Sequence, residues 1–218
     1  MTDISAALGP AKKAKTAQNQ PLGLFGGRFD PVHRAHIKIA EAVADQLGLP
    51  EVRWIVTGDP VHKPAVASSH HRLAMVQLAL EALDDPRMSA DDREIRSALK
   101  TGRPSYTADT IAELKQEAPG RPLTWILGED QLQDFQTWHQ WEWLVKNMAL
   151  AVCARTESAS SETIQRIKDM GGNIHWISFE PDNVSSTQVR HAIAEHQPLG
   201  DSLPGSVMQY IQKNRLYL

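Results

Sequence analysis

Two histidines three residues apart, His33 and His36, follow the double glycine Gly26-Gly27 within residues 22–36. An apolar run, a glycine turn and a helix start form the junction where parallel α/β proteins hold phosphate groups. Glycine lets the backbone approach a ligand closely. The helix behind it offers unpaired N–H groups and the positive end of its dipole. Imidazoles placed there can donate hydrogen bonds to phosphate oxygens, and Asp30-Pro31 prepares the helix start. The plain alternative is a pair of surface histidines on a helix. A zinc site is disfavoured because the third ligand of an H-E-x-x-H motif is missing nearby.

A second anion site is legible near the other end. Ser185 and Gln188 have capping-box spacing at a helix start that also contains Ser186 and Thr187. Arg190 then falls in what reads as the first turn, where the helix dipole disfavours a cation. An anion lying between Arg190 and the helix start would resolve that conflict. A capped surface helix with a solvated arginine is the competing explanation.

The elements needed to position these residues alternate along the chain. Apolar runs predict strands over residues 22–27, 52–57, 123–127, 148–154 and 174–179, with a weaker one near 94–97. Helical spacing of Ala40, Val43, Ala44 and Leu47 predicts a helix ended by Gly48 and Pro50. Further helices are expected over 71–83, 105–117 (with a Ser or Thr cap), 163–170, 185–194 and 206–212. Such alternation, without repeats or a long linker, predicts a single α/β domain over residues 21–218. The fold is a Rossmann-like, doubly wound, mostly parallel sheet with helices on both faces. Ligands then sit at the carboxyl ends of the strands. The turn at Gly26, the loop through Lys63, the Gly128-Glu129-Asp130 turn and Arg155 all fall at such ends.

Totals narrow the possibilities. The chain has 218 residues, 41% hydrophobic and 22% charged, with a formal net charge of −3. That balance gives no electrostatic footprint for nucleic acid. One cysteine, Cys153, excludes an internal disulfide, and its apolar surroundings mark it as a packing residue. No apolar run reaches the ~18 residues of a membrane span. Residues 1–20 lack a secretion signal and are expected to be a disordered tail. The expected location is the cytoplasm, without membrane partners, and a homo-oligomer is compatible with the chain.

Residues 26–36, GGRFDPVHRAH, resemble the G-G-[TS]-F-D-P-x-H-x-[GA]-H signature of nucleotidyltransferases, and residues 185–190, SSTQVR, resemble their S-S-T-x-[IV]-R signature. Between them, Pro104 to Thr110, Gly128-Glu129-Asp130 and Thr137-Trp138 resemble bacterial nicotinate-nucleotide adenylyltransferases. The resemblance spans Leu22 to Leu218 and implies transfer of AMP from ATP to nicotinic acid mononucleotide, releasing pyrophosphate. It implies catalytic roles for His33, His36, Lys63 and Arg190. ATP would be held by Gly26, Gly27, Arg28, Phe29, Gly128, Asp130, Arg155, Ser185, Ser186 and Thr187. Asp130 would take a ribose hydroxyl. The pyridine ring would lie on Trp138, with its carboxylate near Thr107 and His139, while Trp141 and Trp143 would be core residues. Mg²⁺ would arrive with ATP, since no carboxylate cage is visible in the sequence. Arg28 departs from the pattern, where a small hydroxyl residue is usual. It either adds a phosphate contact or crowds the site. The loop 59–63 is also looser than the usual P-P-H-K form. The alternatives are another acceptor, such as pantetheine phosphate or nicotinamide mononucleotide, and a non-catalytic sensor of adenine dinucleotides.

Overall fold

Six parallel strands form one sheet in the order β3-β2-β1-β4-β5-β6, in a computed structural model that describes residues 19–58, 65–154, 161–180 and 182–218. They are β1 (Leu22–Gly27), β2 (Val52–Val56), β3 (Met88–Asp91), β4 (Leu123–Gly128), β5 (Ala149–Cys153) and β6 (Ile174–Ile177). The order reverses between β1 and β4, which pair directly from Leu22↔Leu123 to Phe25↔Ile126. This reversal opens a crevice at their carboxyl ends.

Period-two alternation divides the core into two halves. Leu22, Leu24, Ile55, Trp125 and Leu127 point to one face. Phe25, Trp54, Val56, Ile126 and Cys153 point to the other. Both faces need cover, which is why the inner strands read as continuous apolar runs. Helices α1 (Arg34–Gln46), α2 (Ser69–Leu83), α8 (Ser186–Ala194) and α9 (Gly205–Asn214) contribute to the second face. Helices α4 (Thr107–Glu117), α6 (Trp141–Asn147) and α7 (Ser161–Asp169) contribute to the first. Between them lie α3 (Arg93–Thr101) and the short α5 (Glu129–Gln133). Cys153 is buried, and burial pushes its thiol up to about 12, so it packs as an inert group. No helix among the described residues is long and apolar enough to cross a membrane.

Three local expectations need correction. The stretch expected to form a strand near 94–97 is helical, and the edge strand is Met88–Asp91 just before it. Asp92 separates the two, and α3 buries Arg93, Glu94 and Ile95 on one side. The 105–117 helix begins at Thr107 after Tyr106, which has extended backbone and no side-chain cap. Ser105 lies one residue before the N-cap position, and its hydroxyl donates to the Glu94 carbonyl at 3.4 Å. Arg190 is the fifth residue of α8, one turn further along than expected. Residues 1–18 of the expected tail lie outside the described residues, whereas the Gln20 carbonyl accepts from Arg121 Nε at 2.9 Å.

Candidate active site

At the end of β1 the chain turns sharply. Gly26 lies flat against the Trp125 ring, and a Cβ there would come within 2.3 Å of it. Phe29 takes a left-handed φ of 51°, a strained conformation for a bulky residue. Its ring is buried against Phe25, Trp54 and His36, with centroids 5.4, 5.2 and 5.1 Å away. Phe29 was expected at the ATP site. Its side chain instead packs beneath the turn and supports His36.

His33 caps α1 in extended backbone, and its ring stacks on His36 at 3.7 Å. The His33 N–H donates to His36 Nδ1 at 3.2 Å. Nδ1 is therefore unprotonated, and the His36 proton sits on Nε2 as a donor. Burial lowers His33 to about 4, against the attraction of Asp182. Burial, with His33 alongside, holds His36 well below its ordinary value. Both rings are neutral near pH 7. His33 Nδ1 is buried and has no partner among the described residues, the kind of polar atom that a bound ligand satisfies.

The second signature closes onto the first. Ser185 caps α8 and is committed there: its N–H and hydroxyl both face Gln188, each bond at 2.9 Å. The Ser186 hydroxyl donates to the Pro31 carbonyl at 2.9 Å. Arg190 donates to the Asp30 carbonyl at 2.7 Å and to Thr187 Oγ1 at 3.2 Å. Arg34 and Lys38 of α1 meet Asp182, ahead of α8, at 2.6 and 3.1 Å. The two helix starts are thus fixed beside each other.

Three residues that hold this arrangement escaped the sequence reading. The Asp30 carboxylate is buried and accepts from the N–H groups of Val66 and Ala67 at 2.6 and 3.1 Å, and from Tyr217 at 2.8 Å. Arg72, 1% exposed, donates to the carbonyls of Arg28, Thr57, Gly58 and Ala67 at 2.6–3.2 Å. Glu94 is buried beside the cleft described next. Only the position of Asp30 inside the motif could have signalled any of the three.

A cleft of about 700 Å³ opens from this turn. Gly26, Gly27 and Arg28 form one side, and Thr107, Trp138 and His139 line it further along. Trp138 rests on Phe135 and Trp125, at 5.1 and 6.3 Å. Trp141 and Trp143, expected as core residues, are half-buried and pack against the core from its edge, as Trp138 does. Tyr106 and His139 meet with ring centroids 4.7 Å apart. Gly128 ends β4, with the Asp130 carboxylate so close above it that a Cβ would fall 2.7 Å from Oδ1. Lys63 and Arg155 lie outside the described residues. Thr187 borders a separate groove with Arg34, Lys38 and Asp182.

The cytidylyltransferase-like family matches residues 24–192. A relative from Neisseria meningitidis serogroup B, named "Probable nicotinate-nucleotide adenylyltransferase", is 36% identical over 90% of this chain and 98% of its own length. One of the same name from Chromobacterium violaceum is 37% identical over 91% of this chain and 99% of its own. The nicotinic acid mononucleotide adenylyltransferase of Plasmodium falciparum, solved with NaAD, shares the fold. Its TM-score is 0.74 at 20% identity, covering 91% of this chain and 98% of that one. The chain belongs to the cytidylyltransferase-like family and, within it, to the nicotinate-nucleotide adenylyltransferases.

Proposed function

We propose that the protein transfers AMP from ATP to nicotinic acid mononucleotide, giving deamido-NAD and pyrophosphate. One observation carries this reading: the phosphate-type turn at Gly26–Arg28 and the expected pyridine residues Thr107, Trp138 and His139 line a single cleft. An oxygen of the acceptor 5′-phosphate attacks the α-phosphorus of ATP, and the bond from that phosphorus to pyrophosphate breaks. The acceptor is already anionic, so the step needs no serine or cysteine nucleophile. The protein's task is positioning and stabilising charge on the transferred group.

His36 Nε2–H, with its tautomer set by the His33 backbone, suits donation to an α-phosphate oxygen. His33, Arg190 and Lys63 add charge stabilisation around the triphosphate. Ser186, Thr187 and the N–H groups opening α8 hold the outer phosphates, and Asp130 takes the ribose. Magnesium enters as part of the MgATP substrate. Among the described residues there is no group of three or more His, Cys, Asp or Glu side chains suited to a metal. The relatives' names support the pyridine acceptor over pantetheine phosphate. This reading makes the protein a cytoplasmic enzyme of NAD biosynthesis.

The test follows pyrophosphate from ATP and magnesium with nicotinic acid mononucleotide or its amide. Release with the acid acceptor is expected. No release with either acceptor overturns the reading, and equal rates with both remove the acid preference.

A further inference from the structure

Glu94 is a carboxylate that the transfer chemistry does not use, yet it stands in the acceptor cleft. It is 7% exposed and lines that cleft along with Thr57 and Ser105, and it also borders a small adjoining pocket with Asp109, Thr110 and Glu113. Its Oε1 accepts from the Thr110 hydroxyl at 2.8 Å, and its carbonyl accepts from Ser105. Gly58 presses on the same carbonyl, where a Cβ would lie at 2.3 Å. Glu94 therefore ties the end of β2 to residues 105–110, the segment that carries Thr107. Arg93, whose charge acts on it, is itself engaged by Asp91 at 2.8 Å and Glu117 at 3.2 Å. The other charged groups around it are Asp91 from the end of β3 and Asp109 from α4. Arg28, Asp134 and His139 line the cleft itself.

We propose that Glu94 is a specificity-determining residue, its carboxyl opposing or admitting the negative charge on the acceptor's ring while its hydrogen bonds fix residues 105–110. This deepens the adenylyl-transfer reading and rests on it. Burial raises the carboxyl to about 7, against the Thr110 hydrogen bond, so both charge states occur near neutral pH. An ionised Glu94 repels the nicotinate carboxylate and leaves the neutral nicotinamide ring unaffected. A neutral Glu94 removes that penalty. Preference for the acid acceptor must then increase as pH falls through about 7.

The experiment measures kcat/KM for nicotinic acid mononucleotide and for nicotinamide mononucleotide across roughly pH 6 to 8. Both acceptors carry the same 5′-phosphate, so the acid-to-amide ratio cancels its ionisation. The wild-type ratio should fall about fivefold or more as pH rises, the scale of one like charge in a partly screened cleft. Glu94→Gln should flatten the ratio while KM for ATP matches the wild type at each pH. A flat wild-type ratio, or an equal slope in Glu94→Gln, overturns the proposal. So does a change in KM for ATP parallel to that for the acceptor, which would mark Glu94 as general scaffolding. Should Glu94→Gln fail to fold, Thr110→Val provides the test by removing the donor that favours the anion, so the midpoint must move to higher pH. A midpoint that stays or moves down overturns the proposal as well. If the wild type releases no pyrophosphate at any pH, the adenylyl-transfer reading fails, and that outcome is distinct from a pH-independent ratio.

Discussion

Tyr217 donates its hydroxyl to Oδ1 of Asp30 at 2.8 Å, joining the segment after α9 to the middle of the first signature. Asp30 passes the connection on, since its carboxylate holds Val66 and Ala67 and its carbonyl holds Arg190. Burial and the adjacent carboxylate push Tyr217 well above an ordinary phenol, so it remains a donor throughout the neutral range. Tyr217→Phe removes one hydrogen bond and should cost about 1 kcal/mol. Asp30→Ala leaves the buried Ala67 N–H, the half-buried Val66 N–H and the phenol without their acceptor and should cost about 2 kcal/mol or more. Urea unfolding of both variants checks the ranking, which Asp30→Ala must lead.

His33 gives stability a pH dependence of definite sign. Its folded pKa of about 4 lies below the ordinary value of 6.5, so the unfolded chain binds more protons between those limits. Stability therefore rises with pH through this window and is lost on acidification from about 6.5 to 4. The full effect is on the order of 3 kcal/mol. His36 shifts in the same direction and adds to it. Urea midpoints of the wild type and His33→Gln at several pH values measure the difference, and the variant should lose the His33 share of the acid sensitivity while that of His36 remains.

His36→Ala removes a preorganised donor and should lower kcat roughly 10²-fold with little change in folding. Steady-state rates with saturating ATP and acceptor provide the check. A rate near that of the wild type would assign His36 to packing alone.

Arg28 lines the acceptor cleft, and Arg72 holds its carbonyl at 2.8 Å. The ATP-phosphate contact that the family resemblance gives this arginine predicts that Arg28→Thr raises KM for ATP about tenfold with kcat little changed. A higher kcat instead would show that the arginine crowds the cleft.

Arg72→Met should be among the most destabilising single changes. Several buried carbonyls lose their donor together, at a cost of about 3 kcal/mol or more. Thermal unfolding, with and without ATP, measures it.

The parts legible in the sequence were those written as local pattern. Leu22 to Phe25 and Leu123 to Leu127 form inner strands buried on both faces, so their apolar runs were unambiguous. Ser185 and Gln188 form the capping box that their spacing announced. Glu94 to Ser97 misled because Ile95 between long polar side chains alternates like a strand, although the position is helical. Asp30, Arg72 and Glu94 were missed as functional supports for a different reason. Apart from the Arg72–Ala67 bond, the partners of their side chains lie from 14 to 187 residues away, beyond the reach of a local pattern.

The reversal of strand order between β1 and β4 has a consequence for how such a protein diversifies. Ser105, Tyr106 and Thr107 reach the cleft from the connection before β4, and Trp138 and His139 from the connection after it. The stacked histidines and the α8 clamp belong to other connections and do not share those loops. An engineer could therefore exchange these two connections as a cassette and keep the stacked histidines and the start of α8, provided that Gly26 remains small enough to lie against Trp125. That contact is where the exchangeable wall of the cleft meets the turn at the end of β1.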